Sequence, residues 1–171
     1  MKRTGCSISG AVLALLMTAP SAKGQATAVG AVTRLYRDYA WEAVIDQPDQ
    51  SSLTLMGQPR DVLRRYLDDS LTDLVLADRA CARKQGECAL DWVPIWDSQD
   101  PGGASGIRIA AASDSSVVAV TIRYRSDSSL VRLAYHMVKT ARGWRVHDIV
   151  SARGVSLLDQ LRPSRGRHRA E

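Results

Sequence analysis

The chain has 171 residues, of which 45% are apolar, and this length and composition predict one globular domain with a buried core. The same numbers exclude collagen-like, coiled-coil and wholly disordered proteins. The formal net charge is +5, but the excess of cations lies at the two ends, because the segment from Thr27 to Leu161 holds 16 basic and 17 acidic residues. A nucleic-acid-binding domain concentrates Lys and Arg between stacking aromatics, and no such stretch occurs, so we expect no nucleic-acid partner.

The first 26 residues have the order of a secretory signal peptide. Lys2 and Arg3 precede an apolar segment from Ile8 to Met17, and small residues follow as far as Ala26. The apolar segment is about half as long as a bilayer-spanning helix, so a retained membrane anchor is the weaker interpretation. We expect a mature chain that starts near Thr27, is periplasmic or secreted, and has no membrane span.

Export would place Cys81 and Cys88 in an oxidising compartment, where an even pair of cysteines usually closes. The sequence therefore predicts a disulfide, and the chain-entropy model gives this short loop about 2.5 kcal/mol of stabilisation. A metal site is the competing interpretation. The six residues between the thiols do not match the spacing of zinc knuckles and no His is near, so we expect no metal and no cofactor.

The first half of the mature chain has a helical period. Apolar residues recur at spacings of three and four from Val29 to Ala43, which predicts a helix of about four turns. Polar and turn-forming residues from Asp46 to Gly57 indicate a loop. Pro59 predicts the start of a short helix that runs through Leu67, and Ser70 with Asp73 resembles a capping box that opens a third helix.

The second half has the period of strands. There are four strand candidates: Ile107 to Ala112, Val117 to Arg125, Val131 to Lys139 and Trp144 to Val150. Short turn segments, Ser126 to Leu130 and Thr140 to Gly143, separate the strongest three, which is typical of an antiparallel meander. Helices followed by a meander predict an α+β domain with the helices on one face of the sheet. Leu157 and Leu158 predict one last helical turn, and the polar, basic tail from Arg162 to Glu171 is expected to be disordered.

Two segments resemble a known family. They are Asp91-Trp-Val-Pro-Ile-Trp-Asp-Ser-Gln-Asp-Pro101 and Gly143-Trp-Arg-Val-His-Asp-Ile149. Both, with the helical first half, resemble a family of small exported bacterial proteins without an assigned function in the nuclear transport factor two-like superfamily. The resemblance covers Ala28 to Leu161 and implies a curved antiparallel sheet wrapped by helices into a cone, with a cavity at the open end. It implies no particular reaction, because this fold hosts many.

Strand alternation places a phenol and a carboxylate together. A four-residue turn after Lys139 would set Tyr135 opposite Asp148 on the apolar face of the sheet, with Val120 opposite Tyr135 on the other side. The low dielectric of such a cone would raise the pKa of the Asp, which could then act as a catalytic acid or base. The simpler interpretation is that each group satisfies the other's hydrogen bond. Tyr124 shares this face and is a pocket candidate.

On the opposite face, the same register sets His136 across from His147. Two imidazoles at that distance are able to bind a metal or to sense pH. Because no third ligand is evident, a solvent-facing or covered pair is the favoured interpretation.

The segment from Asp91 to Pro101 brings two indoles, three carboxylates and an amide together within eleven residues. Its indoles and polar groups are suited to binding a sugar or a cation: Trp92, Trp96, Asp97, Gln99 and Asp100. The favoured alternative is that the segment plugs the junction between helices and sheet with Trp96 packed inward.

The motifs of common enzyme classes are absent from the sequence, including the nucleophile elbow, the dinucleotide-binding loop and the phosphate loop. We therefore favour an exported module that binds a small molecule or a protein. The alternative is a small acid/base enzyme of the isomerase or dehydratase kind that uses Tyr135 and Asp148. A homodimer through the sheet is a further candidate assembly.

Overall fold

The computed structural model describes residues 27–43, 53–99, 101–125 and 130–162. The predicted signal peptide, Asp100 and all of the predicted tail after Arg162 lie outside this set. Most of the predicted loop from Asp46 to Gly57 also lies outside it.

The first helix, α1 (Ala28–Tyr39), continues into a 3-10 turn over Ala40–Ala43, as its period predicts. The Thr27 hydroxyl caps it by accepting a hydrogen bond from the Gly30 N–H at 3.0 Å. Its apolar face is buried in the core through Val32, Leu35 and Tyr36, among others.

The second helix, α2 (Arg60–Leu63), is shorter than predicted. Tyr66 and Leu67 leave the helix because the backbone here pairs with the last strand: the Val146 N–H donates to the Tyr66 carbonyl at 2.8 Å, and the Asp68 N–H donates to the Val146 carbonyl at 2.9 Å. A parallel bridge between Leu67 and Val146 results. Tertiary pairing thus overrides the helical period.

The third helix, α3 (Asp69–Gln85), is capped by Asp68 and not by Ser70. The Asp68 carboxylate accepts the Leu71 N–H at 2.8 Å, which is the bond a capping box would have supplied two residues later. At the other end, Gly86 adopts a φ of 88°, and the predicted disulfide joins Cys81 to Cys88 with Cα atoms 6.0 Å apart. This bond is compatible with an oxidising compartment.

Four strands form one antiparallel, curved and unclosed sheet in the order β1-β2-β3-β4: β1 (Ala104–Ala111), β2 (Val117–Tyr124), β3 (Leu130–Thr140) and β4 (Gly143–Ser151). A short helix, α4 (Leu157–Leu161), follows. The α+β prediction is confirmed. One face of the sheet packs on α1 and α4. On β2 the buried residues Val118, Val120 and Ile122 alternate with more exposed ones and belong to this face.

The register between β2 and β3 differs from the prediction by two residues. Val118, and not Val120, pairs with Tyr135, and Val120 pairs with Leu133. The centre of the pairing therefore lies one residue earlier in the chain than predicted. Because a slip of two residues preserves alternation, the predicted inward faces of both strands are still correct.

A β-bulge in β4 changes the predicted pairing of β3 and β4. Met137 pairs with Val146 as predicted, but His136 pairs with Asp148 and Tyr135 pairs with Ile149. His147 is the extra residue of the bulge. The predicted oppositions of Tyr135 with Asp148 and of His136 with His147 are therefore wrong, because one inserted residue reverses the face of every later side chain. Ile149 and Ser151 take the inward positions predicted for Asp148 and Val150.

The His147 ring binds Asp68 instead of a second imidazole. Its Nδ1 lies 2.6 Å from the second carboxylate oxygen of Asp68, the same residue that caps α3. His136 is exposed on the sheet. The two histidines thus have separate surroundings.

Candidate ligand pocket

The segment between the disulfide loop and β1 is anchored in the core by Trp96. This side chain is 1% exposed, its indole N–H donates to the Glu42 carboxylate at 3.0 Å, and its ring meets the Tyr36 ring edge-on with centroids 5.5 Å apart. The Tyr124 hydroxyl donates to the Trp96 carbonyl at 3.0 Å. Trp96 is thus packed inward, and Tyr124 supports the segment from behind.

A chain of phenols fixes the same segment. Tyr135 is fully buried and its hydroxyl lies 2.7 Å from that of Tyr36, which in turn donates to the Ile95 carbonyl at 2.6 Å. Tyr36 has one proton to give, so Tyr135 donates to Tyr36. Burial raises the pKa of both phenols well above their ordinary value. Tyr135 is held in the core, away from Asp148.

Asp148 holds α4 on the sheet. One of its carboxylate oxygens accepts the N–H groups of Ile149 at 2.8 Å and Leu158 at 2.9 Å, and the other accepts the Ser156 hydroxyl at 2.7 Å. The Ser156 hydroxyl in turn caps the helix by accepting the Asp159 N–H. Asp148 therefore positions the residues of α4, and the structure does not bring it together with Tyr135.

We expect Asp148→Ala to lower the free energy of unfolding by about 3 kcal/mol, because two buried N–H groups and a hydroxyl lose a charged acceptor. Urea unfolding measures this loss. The matched control is Asp159→Ala, which removes a carboxylate whose ion pair with Arg162 is more than half exposed, and it should cost under about 0.5 kcal/mol. Equal losses in the two variants would show that Asp148 does not anchor α4.

The residues on either side of Trp96 form a closed turn. The Val93 N–H donates to the Ser98 carbonyl at 2.8 Å, and the Trp96 N–H donates to the Val93 carbonyl at 3.0 Å. Asp97 follows with a φ of 49°, in the left-handed region that few residues other than Gly, Asn and Asp adopt. Such backbone strain is maintained only where the surrounding structure imposes it, here by the buried Trp96.

A cavity of about 410 Å³ lies between this turn, β3, β4 and α4. Its apolar lining consists of Trp92, Pro94, Leu133, Ile149, Val155 and Leu157, and its polar lining consists of Asp97, Ser98, Gln99, Ser151, Arg153 and Gln160. The cavity is partly open to solvent.

Three of the predicted pocket residues line this cavity, namely Trp92, Asp97 and Gln99. Trp96 and Tyr124 form the layer behind its wall. The contributions of Ile149 and Ser151 were missed because the bulge, which turns them inward, has no signal in the period of the sequence. Arg153 and Gln160 were missed because they enter the lining through the turn after β4 and through α4.

The pocket holds one partly buried carboxylate. Burial raises the pKa of Asp97, and the positive charge of Arg153 partly offsets this. Among the described residues, no hydrogen bond or ion pair engages the Asp97 side chain. Arg153 itself is exposed at the rim.

Across the described ranges, no three His, Cys, Asp or Glu side chains are grouped so as to hold a metal ion. In the same ranges no helix has the length and apolar character needed to cross a bilayer.

No family model matches the chain, and no curated protein matches it. One solved structure that resembles it is a phospholipid-binding protein from Ralstonia solanacearum, in complex with a phospholipid. The two chains are 16% identical, the match covers 80% of this chain and 83% of that one, and the TM-score is 0.45. A similarity at this level does not indicate a function, so the inference of a ligand rests on the residues that line the cavity.

Proposed function

We propose that this protein is an exported binding module of the nuclear transport factor two-like kind, and that its cavity holds a small amphipathic molecule. The observation that carries the proposal is a ligand-sized cavity with a partly buried carboxylate in its wall, Asp97, which forms no hydrogen bond or ion pair with another described residue and lies on a turn that Trp96 fixes to the core. The volume of about 410 Å³ falls within the range of small-molecule sites.

The floor of the cavity suits the apolar part of a ligand. Leu133, Ile149 and Leu157 are all at least 96% buried and line it. They belong to β3, β4 and α4, so the pocket is shaped before a ligand arrives. A preformed apolar site loses little free energy to ordering when it binds.

The upper wall of the cavity suits a polar end that donates hydrogen bonds. Asp97 offers carboxylate oxygens with no described partner, and the Trp92 indole lies in the same lining. A carboxylate with an aromatic face is a typical receptor for an ammonium group. A ligand that ended in a carboxylate would meet repulsion from Asp97, whereas Arg153, the cation of the lining, is exposed at the rim and is screened by solvent. We therefore expect an amine, or another donor of hydrogen bonds, at this end.

The first test is a calorimetric titration of the purified protein with decylamine and with decanoate, which share an alkyl chain and differ in the charge of the head. We expect saturable binding of decylamine, tighter than that of decanoate. Gln160→Trp, which puts a large side chain into the cavity from an exposed helical position, should weaken this binding at least about tenfold, or 1.4 kcal/mol. Gln160→Ala, which leaves the cavity open, should not.

A second variant isolates the carboxylate. Asn tolerates the left-handed backbone, so Asp97→Asn keeps the turn and removes the charge. It should weaken decylamine binding about tenfold and leave decanoate unweakened. In the wild type the preference for decylamine should be lost as the pH falls through the raised pKa of Asp97, because protonation removes the same charge. Equal affinity for the two probes, or unimpaired binding by Gln160→Trp, would contradict the proposal.

A further inference from the structure

The outward face of the sheet carries positive charge that forms no ion pair within the described residues. Arg108 on β1 pairs with Thr121 on β2, and Thr121 pairs with Arg132 on β3, so the two guanidinium groups lie on one rung and one face. Arg123 lies two residues beyond Thr121 on the same face. With strands spaced about 5 Å apart, the three side chains start within roughly 10 Å of one another. These residues, Arg108, Arg123 and Arg132, are called the arginine face below.

No carboxylate among the described residues forms an ion pair with the arginine face. The sequences of β1, β2 and β3 contain four basic residues and no Asp or Glu. All three arginines are exposed, and among the described residues none of them forms an ion pair. From Thr27 to Leu161 the acids slightly outnumber the bases, yet every acid lies outside these three strands. Three like charges this close are stabilised by an anionic partner.

The composition of this face identifies the kind of partner. On the rung next to Arg108 and Arg132 lie the small residues Ala110, Ala119 and Ala134, which leave the adjoining surface flat. Of the residues enriched at protein–protein interfaces, Arg is present, but Trp, Tyr, Phe and Met are absent from the outward positions of these strands. A second copy of the chain would bring arginines against arginines. An anionic bilayer surface is flat, needs no groove and supplies phosphates over a wide area.

One exposed apolar residue extends the same face. Leu130, which pairs with Arg123, is 41% exposed and lies next to Arg132 along β3. An apolar side chain beside long cationic ones is the arrangement found on interfacial membrane-binding surfaces, where the cations reach the phosphates and the apolar group enters the acyl boundary.

We propose that the arginine face docks this protein on anionic lipid surfaces. The ligand cavity opens on the other side of the sheet, lined by the inward residues Leu133 and Ile149, so docking leaves it accessible. The proposal does not depend on the cavity's ligand.

Cosedimentation with phosphatidylcholine vesicles, with and without one-third phosphatidylglycerol, tests the proposal. We expect the purified protein to bind the anionic vesicles and not the neutral ones, and to dissociate as salt is added, because screening shortens the reach of surface charge. Each arginine near an anionic surface contributes about a fivefold factor, so Arg108→Gln with Arg132→Gln should lower the partition coefficient roughly thirtyfold.

The control removes the same amount of charge elsewhere. Arg83→Gln with Lys84→Gln changes two exposed cations in the last turn of α3 and should leave binding within about twofold of the wild type. Both double variants keep the basic residues at the end of the chain, so loss of binding in the first alone locates the contact. Thermal melts verify that both remain folded. Absence of binding to anionic vesicles, equal losses in the two variants, or a dimer that the arginine changes dissociate would overturn the proposal.

Discussion

Replacing Trp96 with alanine is expected to lower the free energy of unfolding by about 3–5 kcal/mol, the range for deleting a large buried aromatic side chain. Trp96 is 1% exposed and fills the space between α1 and the turn that forms the pocket wall. Its removal also leaves the Glu42 carboxylate without its indole donor. Urea unfolding with the disulfide intact measures the change, and decylamine binding should be lost with it because the turn loses its anchor.

Two further substitutions separate the causes of this loss. Trp96→Phe keeps most of the ring and removes the N–H, so it should cost about 1–2 kcal/mol, the value of one hydrogen bond to a buried group together with a small cavity. Trp92→Ala removes the other indole of the segment, which is only half-buried and lines the cavity, and it should impair ligand binding more than folding. A wild-type melting temperature for Trp96→Ala would show that Trp96 does not act as a plug.

The sequence predicts well those elements whose hydrophobic period can be read from one continuous stretch of chain. The three-and-four spacing in α1 and the alternation in β2 each follow from a single stretch of chain packing against one core. For the same reason the inward set on β3, Leu133, Tyr135 and Met137, is recognised from its own period.

The sequence predicts the candidate site only in part, because nothing in it indicates the β-bulge at His147. His147 is an ordinary strand residue in the sequence, and its role as the extra residue of a bulge comes from the pairing of Tyr66 and Asp68 with Val146 at the sheet edge. That tertiary contact moves Asp148 away from Tyr135 and brings Ile149 to the cavity. The Tyr–Asp pair fails for this reason, whereas Trp92, Asp97 and Gln99 were found because the chemistry of their segment is contiguous.

The sequence alone does not predict the arginine face, for a related reason. Arg108, Arg123 and Arg132 are well separated along the chain and each lies among apolar neighbours, so no basic stretch is visible. Only the register of the sheet gathers them. The near balance of charge between Thr27 and Leu161 conceals the fact that β1, β2 and β3 contain no acid.

The second large effect is a loss of stability as the pH rises, caused by Glu42. Its carboxylate is 4% exposed and accepts the Leu55 N–H at 2.6 Å as well as the Trp96 indole. Burial raises its pKa from 4.5 to about 7, although these two hydrogen bonds oppose the rise. The folded state therefore binds a proton that the unfolded state has lost between these two values. The contribution of Glu42 to the free energy of unfolding is fully present below about pH 4.5. It falls by about 3 kcal/mol as the pH rises to about 7 and beyond.

Glu42→Gln should abolish this slope. The Gln amide nitrogen cannot accept a hydrogen bond, so the variant loses one of the two bonds at every pH, at a constant cost of about 1–2 kcal/mol. The variant is thus expected to be the less stable protein near pH 4.5 and the more stable one near pH 8, and the two stability curves should cross.

Urea unfolding at a series of pH values measures both curves. The difference between them cancels the opposite contributions of Asp69 and Asp114, whose pKa values are lowered by hydrogen bonds. Glu87→Gln, which neutralises an exposed carboxylate, should run parallel to the wild type. Parallel curves for Glu42→Gln as well would mean that Glu42 is ionised in the fold at the same pH as in the unfolded chain.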